Sequence, residues 1–194
     1  MPWWAPPAGV GGHPPWVVIV AVLGAPRRRW RDEAGEHRAL VLTLAYCGIR
    51  WGEAVALRVR DIEFLRRRLS IHENAVQLGV DHAVGAAKGR KARSVPVPTF
   101  VLDGLAALCT GKAGDALVFT GRDGGGYLPR PKSAGGWFAA AVKRAGVQPI
   151  TPHDLRHTCA SLSVSAGGQR FGATADARTH IREGHARHLQ RSIR

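Results

Sequence analysis

Apolar positions change rhythm several times along this chain, and each change marks an element. Residues 38–47 (RALVLTLAYC) are apolar almost all round, the pattern of a helix buried on every side. Gly48 can end that helix, and residues 50–57 (RWGEAVAL) resume a helical pattern. Residues 69–73 and 75–78 have strand-like content, and Ser94-Val95-Pro96-Val97 predicts a short edge strand before Pro98. Between them, residues 85–93 (GAAKGRKAR) predict a basic, glycine-containing hairpin tip. Residues 100–108 form a further amphipathic pattern, 117–119 a short apolar piece, and 137–145 another helix. At residues 151–158 (TPHDLRHT) a new helix is signalled: Thr151 can cap it, Pro152 suits its first position, and Asp154 can reach back as a capping-box acid. Leu155, Cys159 and Leu162 then recur at helical spacing and would face a core. No internal repeat is present. The sum is an α+β domain, mostly helical, with a small antiparallel sheet.

The two ends have a different texture. Residues 1–32 mix Pro2, Pro6, Pro7, Pro14 and Pro15 with Gly9, Gly11 and Gly12, and tryptophans fall among them without a period. A poorly ordered leader is the expectation there. Residues 33–168 hold the domain, and 169–194 form a polar tail rich in Arg and His with no helical stripe. The apolar run 16–25 (WVVIVAVLGA) is too short to span a bilayer. Its arginines follow the run, whereas a secretory signal carries positive charge before it. A cytoplasmic protein without membrane attachment is the expectation.

Charge narrows the class of partner. Lys plus Arg number 28 against 14 Asp plus Glu, and the formal charge is +14. Such a bias fits a polyanion, most simply nucleic acid. Cys47, Cys109 and Cys159 lie far apart without zinc-ligand spacing, so no metal site is expected and reduced thiols are the default.

Two short constellations carry candidate chemistry. His153 and Arg156, three apart near a helix start, would share one face beside free backbone N–H groups, an arrangement suited to phosphate. The same HxxR pattern also fits a capped helix with exposed polar residues. Arg50 and Glu53 are likewise three apart, so the acid can hold the guanidinium in place. A plain surface ion pair would look identical. The charge run around Lys88 fits a solvated loop as readily as a site.

The ordered set of GIRWGE at 48–53, a lysine in a basic hairpin before SVPVP, and TPHDLRHT at 151–158 resembles the catalytic domain of the tyrosine recombinases, the phage-integrase family. The wording is most similar to actinobacterial phage-type integrases, and the similarity runs from about residue 36 to about residue 167. The resemblance implies DNA strand exchange without a cofactor. A tyrosine attacks a phosphodiester, forms a 3′-phosphotyrosyl link and releases a 5′-hydroxyl that later reverses the step. It further implies that Arg50 and Arg156 clamp the non-bridging oxygens. Lys88 would protonate the leaving oxygen and His153 would assist proton transfer at the nucleophile. Glu53 would buttress Arg50, Arg90, Lys91 and Arg93 would meet the DNA, and His157 would be a surface or packing residue. Double-stranded DNA and intact recombinase protomers are the implied partners, with no small-molecule substrate.

The departures matter as much. The family follows HxxR with a Leu-Gly-His element and a helix bearing the nucleophile. The two tyrosines here are Tyr46, inside the predicted buried helix, and Tyr127, upstream of HxxR. Gly184-His185 lacks both the leucine and a following tyrosine, and no N-terminal clamp domain precedes residue 33. A truncated or decayed copy is the expectation, unable to cleave DNA. The alternative is a non-enzymatic DNA-binding remnant. The abrupt change at Gly168 suggests a shifted reading frame. With wobble bases chosen to suit, the tail codons read one nucleotide later spell a Leu-Gly-His element and then a tyrosine. That histidine falls across the Thr179 codon and that tyrosine across the codon of Leu189.

Overall fold

The computed structural model describes residues 33–165, apart from 87–91, 122–124, 133–134 and 147. The leader (1–32), the tail (169–194) and the side chains of Lys88, Arg90 and Lys91 lie outside the described residues.

Helix α1, Glu33–Cys47, is the central rod. Leu40, Val41, Leu42, Leu44 and Ala45 are all buried, so no face is left for water, as the unbroken apolar run predicts. Each such leucine contributes roughly 1.5–3 kcal/mol when fully removed from water. Thr43, also buried, satisfies its hydroxyl by donating to the Ala39 carbonyl at 2.8 Å. Gly48 ends the helix at φ 63°, a left-handed conformation that glycine enters without penalty. The short helix α2, Trp51–Val55, follows at once.

Three strands then make one small antiparallel sheet in the order β1 (Ile62–Glu63), β2 (Arg68–Ile71), β5 (Arg93–Pro96). Leu69 pairs with Ile62 on one side and Val95 on the other, and all three are buried. β5 is an edge strand, which tolerates Pro96 at its end. β3 (Glu73–Leu78) and β4 (Asp81–Ala86) pair with each other as a separate hairpin. The described ends of the expected basic hairpin tip at 85–93 are strand, and its middle, 87–91, lies outside the described residues. The turn sits at Gly79-Val80, Gly85 and Ala86 pair with Asn74 and Glu73, and Arg93 opens β5. β4 was illegible because its residues are largely exposed, so no apolar face marks it.

Helix α3, Thr99–Cys109, buries Val101, Leu102 and Leu105 and packs on α1. Val118 and Phe119, from the short apolar piece, are fully buried in the shared core. Helix α4, Trp137–Arg144, buries Phe138, Ala141 and Val142, and Trp137 stacks on His37 of α1 at 3.9 Å between ring centres. Helix α5, Asp154–Ser165, lies along α1. Leu155 is buried as expected, but Thr158, Ala160 and Ser163 complete the buried face, whereas Cys159 and Leu162 are half-buried. Thr158 and Ser163 are tolerated there because their hydroxyls bond to the carbonyls of Asp154 and Cys159 one turn back. Among the described residues no helix is long and apolar enough to cross a membrane.

Candidate active site

Several hydrogen bonds converge on one buried carboxylate. Glu53, at the third position of α2, is buried, and its side chain has no exposed surface. Arg50 precedes the helix in an extended conformation and donates its backbone N–H to Glu53 Oε2 at 2.8 Å. The Arg50 guanidinium donates to Oε1 at 3.1 Å. Arg93, forty residues downstream on β5, grips the same carboxylate with both terminal nitrogens, at 2.9 Å to Oε1 and 2.6 Å to Oε2. Each carboxylate oxygen therefore accepts two hydrogen bonds. Burial alone would push this carboxyl up, but the Arg93 bonds, the Arg50 N–H and the two guanidinium charges outweigh it and hold the pKa below the usual value. Glu53 is an anion.

The local sequence accounts for the node. An extended residue before the helix and an acid at its third position make a reciprocal cap. Gly52, between them, lets α2 rest on β3: a Cβ there would meet the Ala75 carbonyl oxygen at 2.5 Å. Arg93 was expected to meet DNA alongside Arg90 and Lys91. The structure gives its guanidinium a partner inside the protein and leaves its side chain 22% exposed. Its role leaves no local signature in the sequence, because the partner is so distant along the chain.

The second cluster stands at the start of α5. Thr151 donates both its N–H and its hydroxyl to Asp154 Oδ2, at 2.8 and 2.9 Å. The acid reaches back as expected, while the Thr151 hydroxyl donates to the acid rather than accepting from the backbone. The N–H groups of Asp154 and Arg156 bond to the carbonyls of Thr151 and His153, so these two are not open to a ligand. His153 is exposed and Arg156 half-buried. His157 is exposed and meets His153 edge-on, with 5.4 Å between ring centres. Partial burial, His157 and Arg156 depress the His153 pKa, with Arg130 adding to them and Asp154 opposing. The ring is therefore neutral near pH 7, able to donate from one nitrogen and accept at the other. Arg130 is a cation that sequence reasoning missed. Its backbone N–H donates to Gln77 Oε1 at 2.7 Å, which ties its loop to β3.

A helix contact joins the two clusters. α5 lies on α1, and the Cys159 thiol donates to the Tyr46 carbonyl at 3.4 Å. A Cβ on Gly48 would meet Cys159 Sγ at 2.9 Å, so glycine is required by space as well as by φ. Arg50 stands two residues beyond Gly48, and Arg156 one helical turn before Cys159. Both arginines thus belong to the same end of the α1–α5 contact. Lys88, Arg90 and Lys91 fall outside the described residues, on the segment that leads into Arg93.

The tyrosines are held elsewhere. Tyr46 packs edge-on against Phe100 at 4.9 Å, and burial pushes its hydroxyl pKa up. Tyr127 lies against His82 at 5.4 Å, with its backbone bridged to Thr120. Among the described residues no group of three or more His, Cys, Asp or Glu side chains could hold a metal ion.

Comparison with known proteins gives a consistent picture. The family model described as the phage integrase family matches residues 20–169. A tyrosine recombinase of Thermosipho africanus is 30% identical over 132 residues, covering 68% of this chain and 41% of that protein. Tyrosine recombinase XerA of Thermococcus onnurineus is 28% identical over 132 residues, covering 67% of this chain and 42% of its own length. The chain therefore spans about two fifths of these relatives. Among solved structures, the Tn1549 transposon integrase in complex with a circular intermediate DNA superposes with a TM-score of 0.61 at 19% identity, covering 77% of this chain and 51% of that one. XerA recombinase superposes at 0.58 with 21% identity, covering 97% and 67%. At these identities the structures establish the fold: a tyrosine-recombinase catalytic domain.

Proposed function

Since the chain belongs to the phage integrase family, we propose that it is the catalytic-core portion of a site-specific DNA recombinase that works by strand breakage and rejoining. The observation that carries this reading is the buried Glu53 holding Arg50, with Arg156 at the same end of the α1–α5 contact. A guanidinium fixed by a buried anion is already oriented when a phosphodiester arrives. It loses little freedom in stabilising the charge of a pentacoordinate transition state.

In this reading Arg50 and Arg156 bind the non-bridging oxygens. Lys88 gives a proton to the leaving 5′-oxygen, and His153, neutral near pH 7, takes or shares the proton of the attacking hydroxyl. Arg93 fixes Glu53 and anchors the end of the segment that carries Lys88, Arg90 and Lys91. No cofactor enters, because the covalent phosphotyrosyl link conserves the phosphodiester energy. The motif wording supports an integrase of the actinobacterial phage type. Double-stranded DNA is the substrate and intact recombinase protomers are the partners.

The nucleophile is the departure. No tyrosine follows Arg156 in these 194 residues. By themselves they would hold a phosphodiester without cutting it, and a shifted frame at Gly168 is our account of the tail. The formal charge of +14 also fits a second reading, a DNA-binding remnant without enzyme activity. Incubating the chain with duplex DNA and resolving the products on a denaturing gel tests both. We expect no covalent adduct from the chain as given. Reading the coding DNA one nucleotide later after Gly168 should restore the Leu-Gly-His element and a tyrosine. A stop codon soon after that point, or an adduct lost in Tyr127→Phe, would overturn this account.

A further inference from the structure

At the opposite end of the small sheet from Glu53, the β1–β2 turn opens a groove of about 270 Å³. Its walls are Arg66, Arg67, Arg68, Pro96, Pro98 and Thr99. We infer that this groove is a second phosphate-binding site, which takes a backbone phosphate of duplex DNA outside the reaction centre. The DNA occupant rests on the reading above; the phosphate chemistry does not.

Three consecutive residues on a straight strand would point their side chains to alternating faces. Here they line one cavity because the chain bends at Arg67, which sits at φ 52°, the only non-glycine residue with positive φ among those described. Two hydrogen bonds hold that conformation. Arg67 N–H donates to the Phe64 carbonyl at 3.2 Å, and its own carbonyl accepts the Val97 N–H at 2.9 Å. A bulky residue kept in the left-handed region by its surroundings is a pointer to function rather than a random feature.

One of the three guanidiniums is held in place. Arg68 donates through Nε to Ser94 Oγ and through Nη2 to the Ser94 carbonyl at 3.1 Å, which fixes the plane of its fork. Arg66 is 81% exposed and meets Glu63 at 3.4 Å. That carboxylate also accepts the Ser70 hydroxyl at 2.9 Å, so the counter-charge beside Arg66 is already engaged. Helix α3 begins at the groove wall, behind Pro98, and adds the positive end of its dipole. Three guanidiniums and a helix start around one open cavity are a fit for a phosphate group. The groove is distinct from the reaction centre. β5 runs from Arg93, which grips Glu53, to Pro96 at the groove, a separation of roughly 10 Å at the usual strand rise. A duplex long enough to cross both carries several phosphates over that span.

The test compares the whole chain with a groove triple, Arg66→Gln, Arg67→Asn and Arg68→Gln, in which Asn keeps the left-handed turn. A control triple of equal charge, Arg60→Gln, Lys143→Gln and Arg144→Gln, removes exposed cations from other surfaces. Duplex affinity is measured against salt. The groove triple should lower the slope of log K against log salt by about 0.9 for a single lost phosphate, beyond any change in the control. Equal slopes in the two triples overturn the DNA occupant. A second arm follows the arginine Nε–H signals of the native chain while inorganic phosphate is added. Saturable shifts at Arg66, Arg67 and Arg68, absent at Arg60 and Arg144, support the phosphate site even if the duplex does not bind at all. Shifts with inorganic phosphate but none with duplex would assign the groove to a free anion and refute the DNA occupant. Silence with both refutes the site. Should the triple fail to fold, Arg66→Gln alone, at an exposed position, carries the slope measurement.

Discussion

Arg50 and Arg156 are proposed to do the same work, yet the molecule holds them in opposite ways. Arg50 leans on a carboxylate with no exposed surface, shared with a second guanidinium from a distant strand. Arg156 rides on the first turn of a helix whose start is fixed by an exposed Thr151–Asp154 pair. The difference teaches that a buried charge network here serves orientation. A buried ion pair seldom adds net stability over an apolar replacement, because desolvation offsets most of the attraction. It does resist rotation of the side chains it joins, and it links α2 to β5 and so to the segment bearing Lys88.

The largest effect should come from breaking the buried half. Glu53→Ala leaves two partly buried guanidiniums without their anion and should cost about 3–5 kcal/mol of stability. Denaturant titration measures it, and a loss below ~1 kcal/mol would show that the node is not a buried network. Next comes the contact that joins the halves. Gly48→Ala forces a left-handed alanine against Cys159 Sγ and should cost about 1–3 kcal/mol. A pair with Cys159→Ala should recover the steric part and leave the backbone part. On the exposed half the expected losses shrink. Asp154→Ala removes the acid that accepts from Thr151 and should cost about 0.5–2 kcal/mol by thermal melting; a loss as large as that of Glu53→Ala would erase the contrast.

Acidity separates the halves more finely. The folded pKa of Glu53 lies below its ordinary value of 4.5, so its contribution is full above pH 4.5 and is lost as pH falls through the folded value. His153 is also depressed, below 6.5, but for a base this means the folded state resists protonation. Its contribution is present above pH 6.5 and declines as pH drops through its own folded pKa. Stability should therefore soften slightly below pH 6.5 and fall steeply below pH 4.5. NMR titration of the His153 ring checks the first step. A ring that titrates above 6.5 would contradict the packing described.

What was legible in the sequence follows from what is local. Helix α1 announced itself because Leu40 to Ala45 leave no polar face, and the Arg50–Glu53 spacing predicted the ion pair, though not the reciprocal cap. The start of α5 was readable from Thr151 and Asp154. β4 was missed because its largely exposed residues present no apolar face, and with it the turn at Gly79-Val80 that pairs it with β3. The Arg93–Glu53 contact and the charge of Arg130 near His153 were missed for a different reason: the sheet and a loop tied to Gln77 bring these groups together, and such approaches leave no spacing to find.

The claim on which the account turns is that the two differently held arginines converge on a single phosphate. A crystal structure of the chain bound to duplex DNA measures this directly. The account predicts that Arg50 and Arg156 each place a guanidinium nitrogen about 2.7–2.9 Å from non-bridging oxygens of one phosphate, with Glu53 still bonded to Arg50 and Arg93. Arg50 and Arg156 on separate phosphates, or on opposite faces of the domain, would contradict it.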